Sequence, residues 1–197
     1  FIALKKGLLT YLGPDYSGRL FFYDLDVPEA TYKSISPDAC LLNWDSLKTR
    51  LTARHKNSHK NDFGHVLVVG GDHGMAGAVR LAGEAALRSG AGLVTIVTQP
   101  EHVSAITPGC PELMVVGLAK GQIPQHLLTK ADCIVIGPGL GQGSWGMNLL
   151  AQVLQSPLPK LVDADALNLL TNDDRGREDG VVTPHPGEGA RLLGSTT

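Results

Sequence analysis

HVLVVGGDHGMAGAVRLAGEAALRSGAGLVTIVT, residues 65–98, decides the fold. Val66 to Val69 is a short continuous apolar run, the pattern of a strand buried on both faces. Gly70-Gly71-Asp72-His73-Gly74 follows as a loop in which glycine permits positive φ and close approach to the backbone. Ala76 to Ser89 reads as a helix, with Val79, Ala82, Ala86 and Leu87 on one face. Gly90-Ala91-Gly92 stops it. Leu93 to Thr98 is apolar and β-branched, a second strand. Strand, glycine loop, helix and strand make a βαβ unit, which implies a right-handed crossover and a parallel sheet.

Downstream the alternation continues. Strands are predicted at Leu113 to Leu118, Cys133 to Ile136, Lys160 to Val162 and Val181 to Thr183. Helices are predicted from His102 to about residue 105, over Gln122 to Lys130, Trp145 to Leu154 and Ala166 to Leu170, and from Ala190 onward. Asn172 to Gly180 reads as a charged surface loop. This alternation predicts a doubly wound α/β domain with a mostly parallel sheet and helices on both faces. Upstream the signals are weaker. Phe1 to Leu4 and Arg19 to Tyr23 read as strands, and Lys5 to Thr10 as a turn or short helix. Gly13 to Gly18 is turn chemistry. Ser36 and Pro37 suit the cap and first position of a helix carrying Leu41, Leu42, Trp44, Leu47 and Leu51. Thr52 to Asn57 is a polar linker, where a domain boundary is placed.

The 197 residues are 43% hydrophobic and 18% charged, enough for a sizeable core and too apolar for a disordered chain. The net charge of −2 excludes a generic nucleic-acid binder. The basic residues between Lys48 and Lys60 read as a solvated linker rather than a phosphate-binding arm. No apolar run reaches membrane-span length, and no leader pattern opens the chain. Cys40, Cys110 and Cys133 lack CxxC spacing, which argues against zinc and points to a reducing cytoplasm. The remaining histidines, His55, His59, His65, His73, His102 and His126, lack ligand spacing and are placed on the surface or in loops.

Four strand ends carry unusual residues, and in an open parallel sheet they meet on one rim, where ligands bind. The first loop, with Gly71, Gly74 and Gly77, is neither a dinucleotide fingerprint nor a Walker loop. It serves either packing or anion binding at a helix N-terminus. Gly137-Pro138-Gly139-Leu140-Gly141 allows a ligand against the main chain, or a tight turn. Asp163 and Asp165 either contribute to a magnesium or phosphate environment, with Asn168 on the same rim, or cap a helix, with Asp165 as the cap. His185, stiffened by Pro184 and Pro186, reads as a hydrogen-bond donor to a hydroxyl or phosphate or a proton carrier, against the ordinary structural role of a lone histidine. Glu188 reads as a first-turn acid complementing the helix dipole.

Four segments, SHKNDFGHVLVVGGDHGMAGA, ADCIVIGPGLG, LVDADALNLL and VVTPHPGE, resemble the NAD(P)H-hydrate dehydratase family in order and spacing. The resemblance spans roughly Ser58 to Gly194. It implies a ribokinase-like fold and ADP-dependent dehydration of the S form of NADHX or NADPHX, giving AMP and phosphate. Its implied route is phosphorylation of the hydrate hydroxyl, then loss of phosphate. It places hydrate binding on Ala78, Gly139 and His185, and implies ADP and Mg2+ as co-substrate and cofactor. FIALKKGLLTYLG resembles the end of an NAD(P)H-hydrate epimerase domain, whose half of the reaction implies K+. The domains then run 1–35 (epimerase tail), 36–57 (helix and linker) and 58–197 (dehydratase). A homo-oligomer is implied as well. Asn61 stands where the family usually has glycine. The family's nucleotide segment and catalytic aspartate are expected beyond Thr197, which leaves the catalytic residue unknown and no metal ligand certain. A ribokinase-like kinase of a vitamin-precursor alcohol and an inactive nucleotide-binding fragment are the competing readings.

Overall fold

A computed structural model describes residues 6–37, 40–51, 53–171, 174 and 179–195. The chain divides into two compact units, Phe1–His55 and Lys56–Thr197. Among its described residues the first holds four short α-helices, α1 (Lys6–Leu9), α2 (Gly13–Ser17), α3 (Glu29–Lys33) and α4 (Trp44–Leu47). The strand expected at Phe1 to Leu4 lies outside the described residues. Arg19 to Tyr23 is not a strand; it runs as irregular chain with Phe21, Phe22 and Tyr23 exposed and the Arg19 guanidinium 5.1 Å above the Phe21 ring. A β-prone run needs a neighbouring strand to form a ladder, and none exists among the described residues of this unit. The helix expected to start at Ser36 starts instead after Asn43, whose Oδ1 accepts from the Ser46 amide at 2.8 Å. Asparagine caps as well as serine does, and it sits next to the turn it satisfies. Leu41 and Leu42 are therefore left exposed before the helix.

The second unit contains the sheet. Its strands are β1 (His65–Val69), β2 (Leu93–Thr98), β3 (Met114–Gly117), β4 (Cys133–Ile136), β5 (Lys160–Val162) and β6 (Gly180–Val182). Its helices are α5 (Ala76–Arg88), α6 (Val103–Ile106), α7 (Gln125–Lys130), α8 (Ser144–Gln155), α9 (Ala164–Leu169) and α10 (Pro186–Leu193). All pairings are parallel, in the order β3-β2-β1-β4-β5-β6. The strand order therefore reverses between β1 and β4, the switch point outside whose carboxyl ends such sheets bind their ligands.

Successive side chains of a strand point to opposite faces, so continuous apolar runs feed two cores. Leu67, Val69, Ile134 and Ile136 pack on one face with Leu127 of α7, Leu149 and Val153 of α8 and Ala166 of α9. Val68, Val94 and Ile96 pack on the other with Val79 of α5 and Ile106 of α6. The α5 stripe read from the sequence, Val79, Ala82, Ala86 and Leu87, faces this second core. Two histidines placed outside by the sequence reading are inside. His65 is 8% exposed with Nε2 2.8 Å from Thr95 Oγ1, and His102 is 6% exposed with Nδ1 3.0 Å from Thr98 Oγ1. An imidazole enters a core at small cost only when a partner satisfies it, and spacing along the chain does not reveal such a partner. Cys133 is half-buried, and burial, then the charge of Asp132, pushes its thiol above the usual range. Asn61 lies exposed in a 3-10 turn, Lys60–Phe63, and is not among the positive-φ residues, so no glycine is required there. No helix among the described residues is long and apolar enough to cross a membrane.

Candidate active site

The ends of β1, β4, β5 and β6 lie side by side, and their loops are bonded to one another in that order. The β1 loop reaches the β4 loop through Gly71 N donating to Pro138 O (3.0 Å) and Asp72 N donating to Gly139 O (2.6 Å). The β4 loop reaches the β5 end through Gly141 N donating to Asp165 Oδ2 at 3.0 Å. The β5 end reaches the segment after β6 through Thr183 Oγ1 donating to Asp163 Oδ1 at 2.8 Å. Segments more than a hundred residues apart thus form one continuous rim across the switch point.

Gly139 and Ala78, both carried over by resemblance, are brought together. Gly139 has φ +59°, and a Cβ there would stand 2.7 Å from Met75 Cβ and 3.3 Å from Ala78 Cβ. The absence of a side chain lets the two loops close on each other. Gly71 does not offer a free amide, since its N–H goes to Pro138 and its carbonyl accepts from Thr98 Oγ1 at 2.7 Å. Gly74, exposed at φ +79° with open space beside it, is the part of that loop turned to solvent. Next to it α5 begins without a side-chain cap, and α8 likewise begins uncapped after Gly143. The first-turn amides of both helices are therefore open to an acceptor, and both positive dipole ends sit beside the switch point.

Asp165 is not the N-cap of α9. Asp163 holds that position, with φ −134° and ψ 161°, yet its side chain bonds Thr183 rather than the helix. Asp165 lies in the first turn and is used to anchor Gly141. Between them Ala164 has φ +47°, a left-handed backbone that costs an L-residue about 1–2 kcal/mol. Strain of this kind at a rim is held by its neighbours, here the two anchored aspartates. Ala164→Gly should leave stability unchanged or raise it by up to about 1 kcal/mol, because relief of strain exceeds or balances glycine's entropy loss. A thermal melt checks this; a clear drop in midpoint would mean that Ala164 is not strained. Asn168 is tied to α10, because its Oδ1 accepts from Arg191 Nη2.

His185 is the N-cap of α10. Its Nδ1 accepts from the amides of Gly187 (3.0 Å) and Glu188 (3.4 Å), while the buried Glu188 carboxylate accepts from His185 N at 2.9 Å. This reciprocal capping box places the ring proton on Nε2, which lies 3.3 Å from Glu188 Oε1. Nε2–H thus faces Glu188 Oε1, on a side chain that is 63% exposed. Glu188 does occupy the first turn as expected, with the added task of closing the cap. The sequence reading missed Asp72, whose Oδ1 accepts from Gln99 Nε2 at 2.9 Å. It also missed Thr183. Their only sequence signal was position at a strand end. Among the described residues no three His, Cys, Asp or Glu side chains converge as metal ligands.

A six-stranded parallel sheet with this strand order and helices on both faces is a doubly wound α/β architecture. A ribokinase-like protein of Enterococcus faecalis superposes with TM-score 0.70 at 34% identity, over 77% of this chain and 55% of that one. The family model for NAD(P)H-hydrate dehydratase matches residues 66–197, and the chain belongs to that family. A Bacillus subtilis ADP/ATP-dependent NAD(P)H-hydrate dehydratase, crystallised with ATP and Mg2+, superposes with TM-score 0.64 at 34% identity, over 76% of this chain and 54% of that one. The bifunctional NAD(P)H-hydrate repair enzyme of Coxiella burnetii is 49% identical over 194 residues, 98% of this chain and 40% of that protein. The chain thus spans about two fifths of that curated relative's length.

Proposed function

We propose that this chain carries the hydrate-binding rim of an ADP-dependent dehydratase. The enzyme returns the S form of NADHX or NADPHX to NADH or NADPH, with ADP converted to AMP and phosphate. The observation that carries the reading is the bonded rim at the switch point, with uncapped α5 and α8 opening on it, in a chain of this family. The β-phosphoryl group of ADP passes to the hydrate hydroxyl, and AMP leaves. The ring nitrogen then pushes out phosphate as the C–O bond breaks and a neighbouring ring carbon loses its proton. The hydrate lies against Ala78 and Gly139, where backbone rather than side chain forms the wall. His185 Nε2–H holds the hydroxyl or its phosphate. Open helix amides suit the negative charge that grows on the transferred group.

Magnesium, where present, would neutralise phosphate oxygens. The described carboxylates make no cage for it, which suits an ion that keeps its waters and travels with the nucleotide. Asp163 and Asp165 stand near enough to the rim to bind such waters. The match to the bifunctional relative covers 98% of the chain, whereas the dehydratase model starts at residue 66. This difference supports residues 1–35 as the tail of an epimerase domain, with its isomerase activity and K+, and residues 36–57 as a connector to a dehydratase portion at 58–197. A homo-oligomer in the cytoplasm completes the reading.

The test uses the natural polypeptide that carries this sequence. With (S)-NADHX, ADP and Mg2+, the absorbance of reduced nicotinamide should recover, with one AMP formed per hydrate consumed. Phosphorylation of a thiazole or pyrimidine alcohol with ATP, and no action on the hydrate, would overturn the reading in favour of a vitamin-precursor kinase.

A further inference from the structure

The β1 loop is held from two sides, and only one of them is the β4 loop. On the other side stands the end of β2. Thr98 Oγ1 donates to Gly71 O at 2.7 Å, Gln99 N reaches the same carbonyl at 3.4 Å, and Gln99 Nε2 donates to Asp72 Oδ1 at 2.9 Å. Thr98 is fully buried and Gln99 is 4% exposed. A threonine hydroxyl has one proton, and here it goes to Gly71. The contact between Thr98 Oγ1 and His102 Nδ1, 3.0 Å, is therefore one in which His102 donates. The amide conjugated with the Gly71 carbonyl is Asp72 N–H, which donates to Gly139 O. The result is a polar chain running from His102 through Thr98 and the Gly71–Asp72 peptide to the β4 loop. Each bond polarises the next in a water-poor interior.

We infer that Thr98, with His102 behind it, is a positioning residue that sets the β1 loop against the β4 loop and so sets the spacing of Ala78 and Gly139. Both side chains act through Gly71. A buried hydroxyl and a buried imidazole are costly in an apolar strand end, and an all-apolar pair would pack there without fixing the loop's register. β2 contains an internal control. Thr95 and His65 of β1 form the same kind of buried pair at 2.8 Å, but among the described residues neither side chain bonds a rim loop.

The direct test is amide hydrogen exchange at Gly71 and Asp72 in the ligand-free protein. Thr98→Val, which keeps the shape and removes the hydroxyl, should speed exchange at both amides by about tenfold, the effect of one lost buried hydrogen bond. Thr98→Ser should restore slow exchange, and Thr95→Val should leave these two amides at the wild-type rate. Wild-type exchange in Thr98→Val, or equally fast exchange in Thr98→Ser, overturns the inference. If Thr98→Val does not fold, His102→Leu against His102→Asn, which keeps a donor near Nδ1, makes the same comparison. Equal exchange in that pair overturns it. A second arm rests on the proposed function. Hydrate affinity should fall about tenfold in Thr98→Val and recover in Thr98→Ser. A wild-type protein that binds no hydrate would overturn the proposed function and leave the exchange result to judge the positioning role. Wild-type hydrate affinity in a Thr98→Val protein with fast exchange would show that the loop position does not matter to the ligand.

Discussion

Gly137→Ala should lose about 3–5 kcal/mol of folding stability and the rim with it, a large share of the total for a domain of this kind. Gly137 has φ +127°, far from the small left-handed region an L-residue tolerates. The added Cβ would stand 1.7 Å from the Asp163 carbonyl oxygen and 3.1 Å from Ala166 Cβ. Neither partner can retreat. Asp163 N donates to Ile136 O at 3.0 Å, Gly137 N donates to Val69 O at 3.1 Å, and Ala166 is fully buried. Relief would require β4 and β5 to part at their carboxyl ends. Gly74→Ala is the useful contrast, since φ there is +79° but space is open. It should cost only about 1–2 kcal/mol of backbone strain. Denaturant unfolding compares the two; equal midpoints would remove the close approach of Gly137 to Asp163 from the account.

His185→Ala should damage two things at once. Loss of the Nδ1 cap costs about 0.5–2 kcal/mol of stability. Loss of the Nε2 donor weakens hydrate binding by about 1–3 kcal/mol, the range for a truncated bond to a buried or charged partner. His185→Asn separates the two effects. Asparagine is among the best N-cap residues, so the melting midpoint should return, while its shorter side chain leaves hydrate affinity reduced. Melts beside isothermal titration of the hydrate distinguish the contributions. If asparagine restored both, or if alanine kept wild-type affinity, His185 would be a cap and nothing more.

Much of the second unit was legible because its signals are local. The run Val66 to Val69, the Ala-rich helix after it and the stop at Gly90 each depend on neighbours within one turn or strand. The convergence of four strand ends also followed from parallel topology alone. Residue roles on the rim were less legible. Asp165 looks like a cap, but Gly141, 24 residues away, takes its oxygen. His185 looks like a free donor, but both ring nitrogens face α10, Nδ1 its first amides and Nε2 the Glu188 carboxylate. His102 looks like a surface residue because its partner, Thr98, precedes it at the end of an apolar strand. In the first unit, propensity at Arg19 to Tyr23 had no neighbouring strand to act on, and the prediction failed for that reason.

By itself, the sequence determined the alternation of strands and helices, the parallel sheet and the rim on which its strand ends converge. These follow from periodicity, chirality and turn chemistry, all properties of short stretches, while the family was legible through the resemblance of four motifs. The tertiary structure alone decided how the polar atoms of the rim are used. Gly71, Asp163 and Asp165 hold loops together and His185 Nε2 lies against Glu188 Oε1, whereas the first turns of α5 and α8 carry no side-chain cap and Gly74 borders open space. The physical reason is that a hydrogen-bonding group has few places to fill, and the partners that fill them come from distant segments.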